Sequence, residues 1–509
     1  TPAASSGQPP ATKPAPPTVV DFDGIRHRVS LLPLRMDVGD IALSADGKLL
    51  AFTAQVGGRE NVFTWSLDEL AKDPPVATQV TSSAGAKSSL HVSPDGKDLV
   101  LLDDGRVVVA TLERKEARPV QIAAELDVDF ALERHEVFRQ GWSLLRDLFY
   151  DEAMHGADWP AQRARFAPYV AGASSSDELR RLMSLMIGEL NASHLGISAP
   201  PSGGGAVTGR LGISLDAAEL RRTGRLRIAS IVPLGPVDLA RSIRPGDVIV
   251  AIDGEPVGAD SSLEARLDHA VGRQVRLAVT AASGADRREV EVKPVDLSTE
   301  RRLRYRAWVE SRRQYVDKAS GGRLGYVHIP DMSAASLDQL YFDLDADNHA
   351  REGVVIDVRN NNGGFVNVYA IDVFARRPYL TMTQRGREGV PARSALGQRA
   401  LERPTVLVTN QHSLSDAEDF SEGYRTLGLG RIVGEPTAGW IIYTWNTRLV
   451  DGSSFRLPRT RVTGADGRNM ERNPRPVDVP VSRALGEDAD GIDSQLDAAV
   501  KVLLESLAR

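Results

Sequence analysis

The chain has 509 residues, of which 42% are hydrophobic and 26% are charged, and its formal net charge is −6. That length predicts several domains, while the small net charge and the lack of a dense Lys/Arg run argue against a nucleic-acid partner. No apolar stretch approaches the ~20 residues of a membrane span, and the absence of cysteine excludes thiol nucleophiles, zinc-thiolate sites and disulfides.

Residues 1–17 form a Pro/Ala/Ser-rich tract with too little apolar content to fold, and we predict a flexible linker there. The tract does not have the basic-then-apolar pattern of a signal sequence. The compartment stays open, because the sequence is compatible with a signal removed upstream.

Residues 18–122 carry two similar segments, LSADGKLLAF at 43–52 and VSPDGKDLV at 92–100. Each places an Asp-Gly turn before a strand-like run, and the ~50-residue spacing is typical of propeller blades. A propeller typically needs at least about four blades. We therefore expect an incomplete set of propeller blades, with further blades upstream in the parent protein. The alternative is that these strands pack against another domain.

Residues 123–200 change to a helical period, which predicts a helical subdomain. Apolar residues recur on one face of the first helix, and a second helix is predicted over 177–190 behind a capping box at Ser175. That helix leads into Ser193 and His194. A histidine alone is more often structural than catalytic, so this pair needs support from other motifs.

Residues 201–298 carry a string that closely resembles the PDZ signature, IRPGDVIVAIDGEPV at 243–257. A Gly-Asp turn begins one strand there and an Asp-Gly turn ends it. PDZ domains add a peptide as an extra strand and hold its terminal carboxylate in a Gly-rich loop. The residues that match this loop are Leu211, Gly212 and Ile213.

Residues 299–509 alternate short β-branched runs with helical segments, a pattern typical of a βαβ sheet. The predicted strands begin at Leu324, Gly353, Pro404 and Gly430. The predicted helices cover 333–347, 366–377, 416–427 and 493–507. The fold class expected for the whole chain is therefore multidomain α/β.

The segment around Ser415 is the first candidate for chemistry, because it follows a predicted strand and opens a helix. A serine there can project its hydroxyl over the positive helix end, and the amide of Asp416 would point toward an oxyanion. The alternative is structural, since Ser415 with Glu418, and Ser413 with Asp416, are both good capping boxes.

The second candidate is the segment DVRNNNGGF at 357–365. It forms the turn that ends the predicted strand beginning at Gly353. Consecutive glycines, Gly363 and Gly364, can turn backbone amides toward a developing negative charge. The alternative is that the turn needs glycine only for its shape.

The order of these motifs resembles that of the tricorn proteases, a branch of the C-terminal-processing peptidase family. Ser-His after a helix is followed by a PDZ unit, then Asp-x-Arg-x-Asn-x-Gly-Gly, then Ser-x-Ser-Asp before a helix. The resemblance extends from about Asp21 to the C-terminus. It implies a serine peptidase whose catalytic domain has the ClpP/crotonase-like fold.

The resemblance also assigns roles to residues of this sequence. It implies a nucleophile at Ser415, a base at His194, a supporting serine at Ser193, oxyanion amides at Asp416 and at Gly363 or Gly364, and a relay carboxylate at Glu471. The choice between the two glycines stays open. The match at Glu471 is looser, because the glycine that usually follows the family's Glu-Asn pair is missing here.

By resemblance, we expect a homo-oligomer that cuts peptides or unfolded-protein segments through an acyl-enzyme, without a cofactor. The resemblance favours a cytoplasmic protein, and a removed signal would make it periplasmic or secreted. Two other functions compete: an inert PDZ/propeller peptide-binding protein, and a crotonase-like acyl-CoA enzyme. Labelling by a fluorophosphonate would exclude the first, and CoA binding would reveal the second.

Overall fold

The structure is a computed structural model that describes residues 20–56, 59–68, 70–114, 116–123, 125, 127–200, 208–258, 261–397 and 399–508. The predicted linker 1–17 and residues 201–207 lie outside the described residues. The chain divides into two compact units, Thr1–Asp127 and Val128–Arg509.

The first unit contains two four-stranded antiparallel sheets whose strands follow chain order. The strands are β1 (Val38–Leu43), β2 (Leu49–Val56), β3 (Arg59–Ser66) and β4 (Thr78–Gln79), then β5 (Lys87–Val92), β6 (Asp98–Asp103), β7 (Arg106–Thr111) and β8 (Glu116–Pro119). The turns at 46–47 and 95–96 precede β2 and β6, and their glycines have φ of 72° and 70°. In each turn a serine hydroxyl, from Ser44 or Ser93, donates to the turn aspartate. The same local chemistry therefore builds both repeats.

The second unit begins with three helices and a short strand. These are α1 (Phe130–Leu148), α2 (Trp159–Gly172), α3 (Ser176–Gly188) and β9 (Gly196–Ser198). Trp142 and Trp159 join α1 to α2, because each indole N–H donates to the other residue's carbonyl at 3.0 Å. A Cβ on Gly141 would lie 2.4 Å from the Met183 methyl, so the glycine lets α3 approach. Phe455, from a later hairpin, belongs to the same core.

The segment predicted to be PDZ-like forms a sheet with the strand order β10-β11-β12-β14-β15, and β13 pairs with β12. Its strands are β10 (Ile213–Leu215), β11 (Leu226–Ile231), β12 (Val248–Ile252), β13 (Glu255–Pro256), β14 (Val275–Thr280) and β15 (Arg288–Val292). Its helices are α4 (Ala217–Thr223), α5 (Pro236–Leu239) and α6 (Leu263–Arg266). Strand β10 is an edge strand, and Gly212 just before it has φ of 70°.

A five-stranded parallel sheet organises the last part of the chain, in the order β16-β17-β20-β21-β24. Its strands are β16 (Leu324–His328), β17 (Gly353–Asp357), β20 (Thr405–Thr409), β21 (Gly430–Gly434) and β24 (Val479–Pro480). Val354 and Ile356 of β17 enter one core, and Val355 enters the other. Such an all-apolar strand suits a sheet that is covered on both faces.

Helices cover both faces of this sheet. They are α7 (Leu297–Ser320), α8 (Ala334–Ala346), α9 (Asn367–Ala375), α10 (Ala392–Ala395), α11 (Asp416–Thr426), α12 (Glu487–Asp490) and α13 (Ser494–Leu507). Helices α8, α9 and α11 contribute to one core, and α7 and α13 to the other. Among the described residues, no helix combines the length and apolar character needed to cross a bilayer.

Two hairpins complete the unit. They are β18 (Thr381–Met382) with β19 (Val390–Pro391), and β22 (Ile442–Arg448) with β23 (Ser454–Arg461). Strand β9 pairs antiparallel with β23, with Gly196 opposite Arg456 and Ser198 opposite Ser454. This pairing brings the segment after α3 next to the β22–β23 hairpin, although β9 and β23 lie far apart in the sequence.

Candidate active site

Ser415 lies at the N-terminal end of α11, between the helix and the preceding strand β20. Its backbone has φ of 55° and ψ of −123°, a conformation that is strained for a residue with a Cβ. Its hydroxyl makes no capping hydrogen bond, so the capping-box interpretation of Ser415 is wrong. The turn therefore leaves this hydroxyl available to another partner.

The neighbouring serine, Ser413, has a different environment. It is fully buried, and its hydroxyl donates to the Val358 carbonyl at 2.8 Å and accepts from the Asn410 amide at 3.1 Å. These bonds join the segments that follow β17 and β20. Ser413 therefore serves the packing of the turn and does not cap α11 either.

His194 supplies the partner of the Ser415 hydroxyl. Its Nε2 atom lies 3.0 Å from Ser415 Oγ. The histidine has φ of 62° and lies two residues before β9, which is fixed by its pairing with β23. The β9–β23 ladder thus holds the imidazole against a serine that is more than two hundred positions away in the sequence.

Ser193 and Glu471 determine which nitrogen of His194 carries the proton. Ser193 Oγ lies 2.6 Å from His194 Nδ1 and 2.9 Å from Glu471 Oε2. An ionised carboxylate can only accept, and a hydroxyl has one proton to donate. The Ser193 hydroxyl therefore donates to Glu471 and accepts from Nδ1–H. This arrangement leaves Nε2 unprotonated toward Ser415.

Backbone amides hold Glu471 in place. The Glu471 carboxylate accepts from the Ser193 amide at 2.7 Å and from the Ile441 amide at 2.8 Å, and the residue is buried. The loosely matched glutamate is therefore brought together with the Ser-His pair. Three hydrogen bonds, counting the one from the Ser193 hydroxyl, fix the position of its carboxylate.

Burial lowers the pKa of His194 to about 4, and the positive charge of Arg456 adds to the effect. Desolvation disfavours the imidazolium, and a nearby cation repels it. The imidazole is therefore neutral near pH 7, which is the form that accepts a proton.

Two backbone N–H groups near the Ser415 hydroxyl, those of Gly364 and Asp416, make no hydrogen bond within the described part of the chain. The Gly363 amide instead donates to Asn361 Oδ1 at 2.8 Å. The hydrogen bonding thus favours Gly364 over Gly363 as the second oxyanion donor.

Both glycines are closely surrounded. A Cβ on Gly363, whose φ is 76°, would lie 2.4 Å from Ser415 Cβ. A Cβ on Gly364 would lie 2.1 Å from the Met332 carbonyl oxygen. The turn therefore needs glycine at both positions, and at Gly363 the reason is the candidate nucleophile itself.

Ser415 and His194 open onto a cavity of about 150 Å³. Its other lining residues are Asn362, Gly363, Gly364, Phe365, Ile442, Tyr443, Thr444 and Arg456. The rings of Phe365 and Tyr443 form one wall, with centroids 5.9 Å apart. Among the described residues, no group of three or more His, Asp or Glu side chains could hold a metal ion.

Three family models match the chain in the order of its motifs. Residues 130–188 match the tricorn protease C1 domain, residues 209–293 match the PDZ domain, and residues 323–481 match peptidase family S41. Tricorn protease homolog 1 of Streptomyces coelicolor is 31% identical over 97% of this chain and 48% of its own length. The tricorn protease of Thermoplasma acidophilum is 27% identical over 93% of this chain and 45% of its own.

The chain is a tricorn-like member of peptidase family S41. It spans about half the length of the curated relatives it matches. The crystal structure of the tricorn protease superposes with a TM-score of 0.75 at 21% identity, over 93% of this chain and 55% of that one, which shows a common fold. The predictions of the family and of the PDZ domain are thereby confirmed.

The candidate site includes a polar cluster that the sequence did not predict. The Asp416 carboxylate accepts from the Asn367 amide at 2.9 Å and from the Tyr443 hydroxyl at 3.0 Å. Tyr443 also lies 3.0 Å from Asp419, whose pKa burial raises to about 7. These bonds fix the position of the Asp416 side chain.

Glu418 is a further residue of the candidate site that the sequence did not single out in this role. Its buried carboxylate accepts from the Thr437 hydroxyl and from the amides of Gly439 and Trp440, each at 2.7 Å. The Trp440 carbonyl in turn accepts from the Ser415 amide at 3.0 Å. Glu418 therefore braces the loop that holds the Ser415 backbone.

The predicted peptide loop of the PDZ domain leads into the edge strand β10. Leu211 is buried in the domain core, and Ile213 is half-buried at the start of the strand. Arg304 on α7 donates to the Ile213 carbonyl at 2.6 Å and to Ser214 Oγ at 3.1 Å. The edge to which a peptide strand would add thus carries a contact from the helix that leads to the parallel sheet.

Proposed function

We propose that this chain is a serine peptidase in which Ser415 is the nucleophile and His194 the general base. The observation that carries the proposal is a continuous hydrogen-bond chain from Ser415 through His194 and Ser193 to Glu471. A serine hydroxyl is a weak nucleophile until an oriented imidazole removes its proton. Here the orienting group is a serine backed by a carboxylate.

The reaction follows from these positions. Ser415 Oγ attacks the peptide carbonyl carbon as its proton moves to His194 Nε2, and the carbonyl electron pair moves onto the oxygen. The amides of Asp416 and Gly364 stabilise that oxyanion. The imidazolium then protonates the leaving amine, and the C–N bond breaks to give an acyl-enzyme. His194 next takes a proton from water as the water oxygen attacks the ester carbonyl, and it returns that proton to Ser415 Oγ as the C–O bond breaks and the acid product leaves.

The proposed substrates are peptides or unfolded segments of proteins. A polypeptide in an extended conformation can add to an exposed sheet edge, and β10 with the loop residues Leu211, Gly212 and Ile213 offers such an edge in the PDZ domain. The candidate site needs only amides, hydroxyls, an imidazole and a carboxylate, so the proposed reaction uses no cofactor.

We propose five segments: linker 1–17, two propeller-type blades in 18–122, a helical subdomain in 123–200, the PDZ domain in 201–298 and the catalytic domain in 299–509. The two four-stranded meanders with matching Ser-x-Asp-Gly turns support the blades.

The similarity to tricorn proteases supports a homo-oligomer. Sedimentation velocity should then give a multiple of 55.0 kDa, and a single species of that mass would count against it.

Covalent labelling tests the function. A fluorophosphonate should label the folded protein at Ser415, as mapped by mass spectrometry. Ser415→Ala should abolish labelling and peptide cleavage, whereas Ser413→Ala should retain both, because that hydroxyl is buried against Val358. Labelling at Ser413 would overturn the assignment, and no labelling of folded, assembled protein would favour an inert peptide-binding protein.

A further inference from the structure

Arg456 lines the same cavity as Ser415 and His194 and lies on β23. Its Nε donates to the Thr444 hydroxyl at 3.1 Å. Among the residues that the structure describes, no carboxylate lies within 4.0 Å of its guanidinium nitrogens. Arg461 on the same strand, in contrast, pairs with Asp151 at 3.2 Å. Arg456 therefore brings an unpaired positive charge to the cavity.

The acidic groups near the site do not neutralise this charge. Glu471 accepts hydrogen bonds from Ser193 and the Ile441 amide, and Asp416 accepts from Asn367 and Tyr443. No Asp or Glu is among the lining residues of the cavity. Burial lowers the pKa of Arg456, and its charge in turn lowers that of His194. Arg456 is exposed to the solvent that a ligand would displace, and a guanidinium without a protein counterion favours an anionic ligand.

We propose that Arg456 forms a subsite that binds a carboxylate of the substrate beside the scissile bond. This inference rests on the proposed function. The planar guanidinium suits a carboxylate, with which it can make two parallel hydrogen bonds. A cavity of about 150 Å³, with the Phe365 and Tyr443 rings as one wall, has room for one small group. The carboxylate comes either from an Asp or Glu side chain or from the C-terminus of the peptide.

Four matched peptides distinguish these sources. They carry Glu or Gln on the acyl side of the scissile bond, each with a free or an amidated C-terminus. A charge-assisted hydrogen bond should raise kcat/KM about 10- to 100-fold for the form that carries the carboxylate. A Glu-over-Gln preference assigns the subsite to a side chain, and an acid-over-amide preference assigns it to the terminus.

Variants of Arg456 test the residue itself. Arg456→Gln should reduce the ratio of kcat/KM between the carboxylate and amide peptides to less than about threefold. Arg456→Lys should keep part of the preference, because the positive charge remains although the planar guanidinium is lost. Arg459→Gln is the matched control: Arg459 lies on the same strand but stacks on Trp445 outside the cavity, so the preference should not change. Circular dichroism checks that each variant is folded.

Equal rates for all four peptides, or a preference that survives Arg456→Gln, would overturn the subsite while leaving the peptidase intact. If no peptide is cleaved and Ser415 stays unlabelled by the fluorophosphonate, the proposed function fails instead. Calorimetric binding of the same peptides to Ser415→Ala then still tests Arg456. The peptide that carries the carboxylate should then have the lower Kd. Equal Kd values for the carboxylate and amide peptides would contradict the Arg456 subsite.

Discussion

The single proton of the Ser193 hydroxyl decides which nitrogen of His194 is free. The carboxylate of Glu471 accepts the hydrogen bond that this proton makes, so the serine accepts from Nδ1–H and Nε2 faces Ser415. A serine between histidine and carboxylate thus performs the orienting task that an aspartate performs alone in the Ser-His-Asp arrangement.

Glu471→Gln should break this orientation, because an amide N–H can donate to Ser193 and turn its proton toward Nδ1. Nε2 would then carry the hydrogen and could not act as base. By comparison with the equivalent change in Ser-His-Asp enzymes, kcat should fall by about 10⁴. Steady-state peptide hydrolysis measures the loss, and a decrease of less than about tenfold would show that Glu471 does not orient the histidine.

The lowered pKa of His194 predicts an unusual pH profile. Burial and Arg456 bring this pKa to about 4, and the reaction needs the neutral imidazole. The value of kcat/KM should therefore stay level as the pH falls through 6.5 and decline only as it approaches 4. Circular dichroism at each pH separates titration from unfolding. An acidic limb centred at 6.5 or above would contradict the proposed environment of the base.

At the scale of elements, the turn after β17 and the turn before α11 meet at Gly363. Its missing Cβ leaves the space that Ser415 occupies, since the two Cβ atoms would lie 2.4 Å apart. The two turns therefore pack directly against each other at this position.

Gly363→Ala should therefore lower kcat about 10²–10³-fold, the size of effect seen when an oxyanion donor is lost. Gly386→Ala is the matched control. Gly386 has nearly the same φ, 78° against 76°, but nothing lies within 4 Å of an added Cβ. Both variants bear the same backbone strain, so only the first should lose activity in hydrolysis assays. Equal losses would mean that backbone strain, not the Ser415 contact, is responsible.

Local patterns predicted the elements well, because periodicity and caps act over a few residues. The helix predicted over 177–190 is observed at Ser176–Gly188, and the one predicted over 416–427 at Asp416–Thr426. The pairing of β9 with β23 had no such signal: β9 has three residues, and its partner lies far along the chain. Tyr443 and Arg456 enter the site only through that hairpin, so no motif identified them.

On the scale of the whole molecule, the candidate site draws on four separate segments of one unit, Val128–Arg509. The segment after α3 brings His194, the loop after β23 brings Glu471, and two strand ends of the parallel sheet bring Gly364 and Ser415. Motif order indicated three of these segments. The fourth segment, which carries Glu471, matched the family pattern only loosely. The position of Glu471 in the site depends on a buried contact with Ser193, which leaves no local motif.

The central claim is that His194 and Ser415 act as one unit, and a double-mutant cycle tests it most directly. Peptide hydrolysis is compared for wild type, Ser415→Ala, His194→Ala and the double variant. Residues that share one catalytic step are strongly non-additive. The double variant should thus be no slower than Ser415→Ala alone. Losses that multiply, so that the double variant is slower by the product of the two single effects, would contradict the proposed pair.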